Sequence, residues 1–228
     1  MDAMGISNND YVIVYGRDGC VFTPRTWFLF QQMGHDQDKV KLMQGSLEEW
    51  IDKGGPIETN PTTIVRTDDL NVGITTKPMY KAQDAPNIVT MEDMLEAVTR
   101  NTKKKKNDNH HSESVIIVDP RGTTFDAGHI PTAINVPYRS IVTDDDLLKF
   151  KPPVQLEEIF DKAGVNVHTD KNILLSCGTG VSVCHLYLAL QECGRDNTNT
   201  TFVYDGSWAE WGAEESTPKE TLMSTNEK

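Results

Sequence analysis

The most constraining feature of this sequence is an internal repetition of one pattern of predicted elements. Residues 44–50 (Gln-Gly-Ser-Leu-Glu-Glu-Trp) echo residues 205–211 (Asp-Gly-Ser-Trp-Ala-Glu-Trp). Before each stretch come a predicted strand, a glycine-containing loop, a predicted helix and a Gly-x-Asp triplet. Residues 11–52 therefore look like a second copy of residues 172–212. A long stretch of predicted helix and strand precedes the later copy, whereas only residues 1–10 precede the earlier one. The pattern predicts one complete unit and the back half of another.

Five runs rich in β-branched and aliphatic residues predict strands, and segments with helix-capping residues lie between them. The runs cover residues 11–15, 40–43, 114–118, 172–175 and 201–204. Helices are predicted after Thr23 as an N-cap with Pro24 behind it, after a Ser46–Glu49 capping box, and after Thr90. Two more are predicted over 155–163 and 181–192. Strands that alternate with helices indicate an α/β fold with a parallel sheet.

The same pattern predicts how the chain is divided. Residues 1–53 form the partial unit, 54–87 a linker rich in Gly, Pro, Asn and Thr, 88–215 the complete unit and 216–228 a C-terminal tail. The lysine-rich run at 103–111 is interpreted as a solvated surface insertion rather than a phosphate-binding or localisation signal.

Charge and composition exclude several classes of protein. The net charge of −12 disfavours non-specific nucleic-acid binding, and no run of eighteen apolar residues predicts a membrane-spanning helix. The N-terminus has neither a secretory apolar region nor an Arg-rich transit character. Four irregularly spaced cysteines do not form a disulfide framework, so a reducing compartment, cytoplasm or mitochondrion, is expected.

One cysteine stands where α/β proteins usually bind ligands. Cys177 follows the apolar run 172–175, which would deliver it to the carboxyl edge of a parallel sheet. Gly178 and Gly180 let the loop curl, and a helix beginning near Val181 would aim unpaired N–H groups at the sulfur. Such donors stabilise a thiolate or a terminal persulfide anion. The pattern supports sulfur transfer, phosphoryl transfer or redox chemistry.

Two of these chemistries lack the residues they need. A cysteine phosphatase places an arginine six residues after its nucleophile and a histidine before it, where this chain has Val183 and Ser176. A redox Cys-x-x-Cys is absent, and Cys177 with Cys184 lacks zinc-ligand spacing.

Four ordered stretches of the second half carry a resemblance to a known family. They are residues 118–121 (Val-Asp-Pro-Arg), 128–138, the cysteine loop 177–184 and 204–212. Together they resemble the tandem-domain rhodanese family, the 3-mercaptopyruvate and thiosulfate sulfurtransferases. Residues 23–27 and 34–36 are similar to the non-catalytic domain of that family. The resemblance implies a rhodanese-like parallel sheet with helices on both faces, as one complete domain plus one partial domain whose front half is missing.

The resemblance also implies a mechanism centred on Cys177. The cysteine would take sulfur from 3-mercaptopyruvate or thiosulfate as a persulfide and pass it to a thiol, such as thioredoxin, or to cyanide. No metal or organic cofactor is required. Arg121 is the nearest candidate contact for a substrate anion, although its family counterpart braces the structure. The loop that would bind substrate and persulfide consists of Gly178, Thr179, Gly180, Val181 and Ser182.

Departures from the family bear on the sulfur donor. Gly178 and Thr179 stand where thiosulfate users carry basic residues, which favours the mercaptopyruvate type. Thr124 replaces an arginine that holds the substrate carboxylate, and residues 126–128 leave no room for the loop with a second one. Altered handling of mercaptopyruvate is therefore expected. The alternative is a binding or regulatory protein that kept the fold and lost efficient catalysis.

The remaining conspicuous residues are expected to have structural rather than catalytic roles. His129, Trp208 and Trp211 are expected to pack, and Cys184 to behave as a small hydrophobe. Cys20 and Cys193 are expected to be exposed. Because half a domain is missing, apolar surface around 12–15 and 40–43 should be open, so the chain is expected to be a monomer or to self-associate weakly.

Overall fold

The structure is a computed structural model that describes residues 6–60, 80–106 and 114–221. Its strands form two parallel sheets. A two-stranded sheet pairs β1 with β2, and a five-stranded sheet has the order β3-β7-β6-β4-β5. The strands are β1 (Val12–Val14), β2 (Val40–Leu42), β3 (Ile88–Val89), β4 (Ile116–Asp119), β5 (Ala133–Asn135), β6 (Ile173–Leu175) and β7 (Thr201–Tyr204).

Helices alternate with these strands, as the sequence predicts. They are α1 (Thr23–Gln32), α2 (Leu47–Asp52), α3 (Met91–Lys106), α4 (Pro153–Lys162), α5 (Val183–Glu192), α6 (Asn197–Thr200) and α7 (Ser207–Trp211). The parallel α/β prediction is confirmed.

The central strand β6 shows why the five-stranded sheet is buried on both faces. Successive side chains of a strand point to opposite faces. Ile173 and Leu175 enter one apolar cluster with α5, whereas Leu174 enters a second with Met94 of α3 and Trp211 of α7. All three β6 side chains are buried. A continuous apolar run is the expected composition for such a strand.

The first unit shares a core with the second through helix α1. The rings of Phe28 and Tyr187 meet edge to face with their centroids 4.9 Å apart, and Trp27 lies 6.3 Å from the same tyrosine. Val14 and Val40 belong to the same apolar cluster as α5. The two sheets are therefore joined by packed aromatic and aliphatic side chains.

The Gly-x-Asp triplets end α1 and α5 in the same way. Gly34 and Gly194 both have φ of +81°, a conformation that glycine adopts without steric cost. The next residue is a buried anchor in each unit. His35 Nε2 lies 2.9 Å from the Asp10 carbonyl, and Arg195 donates to four carbonyls and to the Thr201 hydroxyl. Both triplets thus fix the chain as it turns toward the following strand.

Helix starts differ in detail from the predictions. Phe22, not Thr23, is the N-cap of α1, and no side chain caps that helix. Ser46 does accept from the Glu49 N–H at 3.3 Å. The reciprocal half of that capping box is wrong, because the Ser46 N–H donates to Asp146 and the Glu49 carboxylate binds two lysines. The predicted N-cap Thr90 is confirmed by its bond from the Asp93 N–H.

Two helix boundaries were also predicted imperfectly. Helix α3 continues through Lys106, so Lys103–Lys106 are helical rather than part of a surface insertion, and residues 107–111 lie outside the described residues. Helix α5 begins at Val183 instead of Val181. Cys184 and His185 bond three residues back to Val181 and Ser182, which makes a tighter turn before the regular helix. The short strand β3 was not predicted.

Candidate active site

Strand β6 places Cys177 at the carboxyl edge of the five-stranded sheet, as predicted. The cysteine is free and 1% exposed. Of the predicted loop, Thr179 is exposed and Gly180 buried, whereas Gly178, Val181 and Ser182 are half-buried. The loop therefore connects a buried sulfur atom to the surface.

Ser207, at the start of α7, holds two points of the loop. Its hydroxyl oxygen accepts the N–H groups of Cys177 at 3.2 Å and Gly180 at 3.1 Å, and donates to the Tyr204 carbonyl at 2.9 Å. The same oxygen lies 3.9 Å from the Cys177 sulfur. One fully buried hydroxyl thus fixes the cysteine and the loop glycine together.

Gly180 is required where it stands. Its φ is +75°, and a Cβ there would lie 2.5 Å from a carboxylate oxygen of Asp205 and 2.8 Å from the Asp205 carbonyl. Any other residue would be strained and would also collide with backbone.

The loop leaves a set of backbone donors free. The N–H groups of Trp208 and Ala209 donate to the carbonyls of Cys177 and Gly178, both at 2.9 Å. The backbone of α7 thus satisfies loop acceptors, and of the loop donors its Ser207 hydroxyl takes only the N–H groups of Cys177 and Gly180. Within the described residues, no acceptor is found for the N–H groups of Gly178, Thr179, Val181, Ser182 and Val183. Such a group of backbone donors next to a helix start is typical of anion-binding loops.

Arg25 reaches this loop from the first unit. Its guanidinium donates to the Gly180 carbonyl at 3.0 Å and binds both carboxylate oxygens of Asp205, one of them at 3.2 Å. The Cys184 thiol also lies 3.7 Å from the Gly180 carbonyl. Burial raises the pKa of Cys184 to about 12, against the opposing effect of nearby Arg25, so this cysteine stays a neutral thiol.

Arg121 lies on another side of the loop, and its charge is already neutralised. It forms a buried ion pair with Asp119 at 2.7 Å and donates to the Gly128 carbonyl at 2.9 Å. Its Cζ atom lies 5.0 Å from the centre of the Trp208 ring. A Cβ at Gly178 would lie 3.9 Å from its Cδ atom. The side chain therefore lies beside the loop, held by Asp119, Gly128 and Trp208, while its Nη1 group has no partner in the described part of the chain.

Most of the other residues that the sequence analysis singled out are packed in the interior. His129 is buried, stacks on Phe125 at 3.8 Å and has Nδ1 3.0 Å from the Phe125 carbonyl, so its structural role is confirmed. Trp211 is fully buried, and Trp208 packs against the same cluster. Cys193, expected at the surface, is 5% exposed, because α5 turns it toward the Pro153 carbonyl of α4. Burial raises its pKa to about 12.

Sequence reasoning missed Arg25, Asp205 and Ser207 as parts of the site. Ser207 and Asp205 lie in the echoed motif at 205–211, and their position directly after β7 was a usable signal, because parallel strands end at one edge of a sheet. Arg25 carried no such signal, since 155 residues separate it from Gly180.

Two absences hold for the part of the chain that the structure describes. It contains no cluster of three or more His, Cys, Asp or Glu side chains that could hold a metal ion. None of its helices has the length and apolar content that crossing a membrane requires.

Comparisons with known proteins agree with this geometry. The Rhodanese-like domain family matches residues 101–214, half of the chain. Thiosulfate sulfurtransferase of Gallus gallus is 28% identical over 221 residues, and 3-mercaptopyruvate sulfurtransferase of Mus musculus is 27% identical over 224. These alignments cover 91% and 92% of this chain but 65% of each relative. The chain thus spans slightly less than two thirds of their length.

A solved structure gives the same result. The SseA protein of Escherichia coli, described as a 3-mercaptopyruvate sulfotransferase with the rhodanese fold, superposes with a TM-score of 0.69 at 28% identity. The match covers 92% of this chain and 70% of that one. On the match over residues 101–214 and the shared fold, this chain belongs to the rhodanese-like domain family.

Proposed function

We propose that this chain is a sulfurtransferase in which Cys177 carries sulfur as a persulfide. The observation that carries the proposal is the loop itself, where a cysteine begins a turn with five backbone N–H groups that have no acceptor among the described residues. Such donors stabilise a negative charge on sulfur without a metal or organic cofactor. The names of the Gallus gallus and Mus musculus relatives support the same chemistry.

The proposed reaction has two steps. The Cys177 thiolate attacks the transferable sulfur of the donor, forming an S–S bond. With thiosulfate, the donor's S–S bond breaks and sulfite leaves. With 3-mercaptopyruvate, the C–S bond breaks and its electron pair stays on carbon as an enolate, which a proton converts to pyruvate. A thiol, such as that of thioredoxin, or cyanide then attacks the outer sulfur and regenerates the thiolate.

Each loop residue has a proposed role in these steps. The N–H groups of Gly178, Thr179, Val181 and Ser182 bind the anionic sulfur, while Gly180 supplies the left-handed turn. Arg121 offers its Nη1 group to an anionic part of the donor. Because Asp119 already neutralises the guanidinium, this contact is a hydrogen bond more than an unshielded charge.

The proposed division of the chain follows from the internal repetition of its sequence. Residues 1–53 are proposed as a partial, non-catalytic copy of the catalytic domain, 54–87 as a linker, 88–215 as the catalytic domain and 216–228 as a tail. The tail is not free throughout, because Glu220 forms a two-bond bridge with His129. We further propose a cytoplasmic or mitochondrial location.

The alternative is a rhodanese-fold binding or regulatory protein. It is favoured by the charges around the site, since Arg25, which binds the loop, and Arg121, which lies beside it, are already paired with aspartates. A donor with two negative charges would find no free cation on either of them.

Intact-mass spectrometry after incubation with 3-mercaptopyruvate or thiosulfate separates the two. The sulfurtransferase proposal expects a gain of one sulfur atom that disappears on adding cyanide or a thiol. The gain should be absent from Cys177→Ser and present in Cys20→Ser, which removes a partly exposed cysteine outside the loop. A folded protein that forms no adduct with either donor would favour the binding or regulatory protein.

A further inference from the structure

One loop residue is held from both of its peptide groups, by two distant parts of the chain. The Gly180 N–H donates to Ser207, which belongs to the five-stranded unit, and the Gly180 carbonyl accepts from Arg25, which belongs to the first unit. Gly180 also has the left-handed φ of +75° on which the turn after Cys177 depends. The shape of the loop is therefore fixed partly from outside the unit that contains it.

Arg25 is itself held in one orientation. Its side chain is 20% exposed, and its Cζ atom lies 5.9 Å from the centre of the Phe28 ring, one turn further along α1. Phe28 in turn packs against Tyr187 of α5. The two oxygens of Asp205 occupy both terminal nitrogens of the guanidinium. A planar fork that binds a carboxylate in this way is geometrically specific, and lysine does not reproduce it.

We propose that Arg25 is a positioning residue of the Cys177 loop, supplied by the first unit. It acts through Gly180 and Asp205 and does not touch the reacting sulfur. The inference rests on the proposed function for its catalytic consequence, but its structural part concerns only the order of the loop. The first unit then contributes a residue that orders the site.

The direct test is hydrogen–deuterium exchange of the full chain, read by mass spectrometry without any sulfur donor. Arg25→Met keeps an unbranched apolar stem as far as the Nε position and removes the guanidinium donors. We expect the two hydrogen-bonded amides of residues 177–182, those of Cys177 and Gly180, to exchange about tenfold faster, because a charged hydrogen bond contributes about that factor to local order. Peptides from β6 and α4 should exchange at the wild-type rate.

Three further variants make the result decisive. Arg25→Lys should restore only part of the protection, since it keeps the charge without the fork. Arg17→Met removes another arginine of the first unit, one in an exposed pair with Glu48, and should leave the loop unchanged. Asp205→Asn weakens the same contact from the side of the five-stranded unit and should loosen the loop with α1 intact. An unchanged loop in both Arg25→Met and Asp205→Asn would overturn the proposal.

Activity provides a separate reading. If wild-type protein forms the persulfide, Arg25→Met should lower kcat about tenfold and leave KM for the donor within about twofold, because Arg25 orders the loop without binding substrate. A large rise in KM at constant kcat would contradict a positioning role. If the wild type forms no persulfide, the proposed function fails. The exchange result still decides whether Arg25 orders the loop.

Discussion

Ser207 is the residue on which the candidate site depends most directly. It is fully buried, has an unusual φ of +53° and accepts two N–H groups while donating to Tyr204. A non-glycine residue in the left-handed region is uncommon and costs conformational energy. Here the hydroxyl contacts offset that cost, so the side chain and the backbone conformation depend on each other.

Replacing Ser207 with alanine should loosen the loop and destabilise the fold. Two buried N–H groups would lose their acceptor, and each loss costs about 1–3 kcal/mol in the free energy of unfolding. Ser207→Gly removes the same hydroxyl but relieves the left-handed strain, so it should be destabilised less. Urea denaturation measures both, with the exposed Ser216→Ala as the control. Equal stability of Ser207→Ala and wild type would show that water replaces the hydroxyl.

His185 should make the protein acid-sensitive. It is fully buried on α5 beside Tyr138 and Phe150, and among the described residues neither ring nitrogen forms a hydrogen bond of normal geometry, although the backbone of Ser182 and Leu147 opposes part of the effect of burial on its pKa. Burial lowers its pKa from 6.5 to about 4. Below pH 6.5 the unfolded chain therefore binds a proton at His185, whereas the native chain binds that proton only near pH 4. Stability is fully present above pH 6.5 and is lost as the pH falls toward 4, by up to about 3 kcal/mol.

The measurement is the free energy of unfolding as a function of pH in wild type and in His185→Leu. The variant should lose less stability between pH 6.5 and 4 than the wild type. His168→Gln changes an exposed histidine and should keep the wild-type slope. Parallel pH profiles for His185→Leu and wild type would mean that His185 does not drive the acid loss.

Residue-level sequence reasoning found the centre of the site but not what surrounds it. Cys177 and the loop glycines stand out because a glycine turn between an apolar strand and a helix has few structural uses. Arg25 does not stand out, since its partners Gly180 and Asp205 become neighbours only after the two units pack. Local patterns predict local geometry, whereas this contact is a property of the tertiary fold.

At the scale of elements, helix α1 joins the two units. Its Trp27 and Phe28 are buried against Tyr187 of α5, and its first turn carries Arg25 to the loop. The sequence predicted a helix here from Thr23 and Pro24. It did not predict that the surface it covers belongs to the other unit, because amphipathicity states which face is buried and not against what.

Truncating Phe28 should therefore affect both units. Phe28→Ala would leave a cavity in the shared core and lower the free energy of unfolding by about 3–5 kcal/mol. Phe22 lies just before the same helix and is 61% exposed, so Phe22→Ala should stay within about 0.5 kcal/mol of wild type. Thermal or urea unfolding measures the difference. Two separate unfolding transitions in wild type would show that the units do not share one cooperative core.

Element boundaries were predicted less well than the elements themselves. β6 was recognised because its three residues are all apolar and buried. The start of α5 was misplaced by two residues because Val181 and Ser182 enter a tighter turn before the helix. The capping box at Ser46 was half wrong because Asp146, 100 residues away, takes the Ser46 N–H. At the start of α5 and at Ser46, a backbone or tertiary contact replaced the local preference.

At the scale of the whole molecule, one side of the small sheet is open. Tyr11, Ile13 and Tyr15 project from it with 80%, 66% and 60% of their surface exposed, whereas Val14 and Val40 on its other side are buried. The predicted exposure around 12–15 is thus confirmed for alternate residues, and the prediction for 40–43 is wrong at Val40. Exposed apolar groups of this kind promote association.

The described chain should therefore associate weakly through this face. Sedimentation velocity at increasing protein concentration is expected to show a rising sedimentation coefficient that Ile13→Lys abolishes. Val154 on α4 is 68% exposed but stands alone, so Val154→Lys serves as the matched control and should leave association unchanged. A concentration-independent monomer in the wild type would refute the prediction.

The contact between Arg25 and Asp205 also orders events in time. The two residues are 180 positions apart, and Ser207 follows Asp205 closely, whereas Cys177 is synthesised before either of its later supports. A nascent chain already carries the cysteine while its loop still lacks the groups that shape it. The loop around the thiol consequently acquires its Ser207 contacts only when the last strand, β7, has joined the sheet. On the proposed function, a chain interrupted before Asp205 would lack both Ser207 and the partner of Arg25, so its cysteine loop would not be held in the shape proposed for persulfide formation.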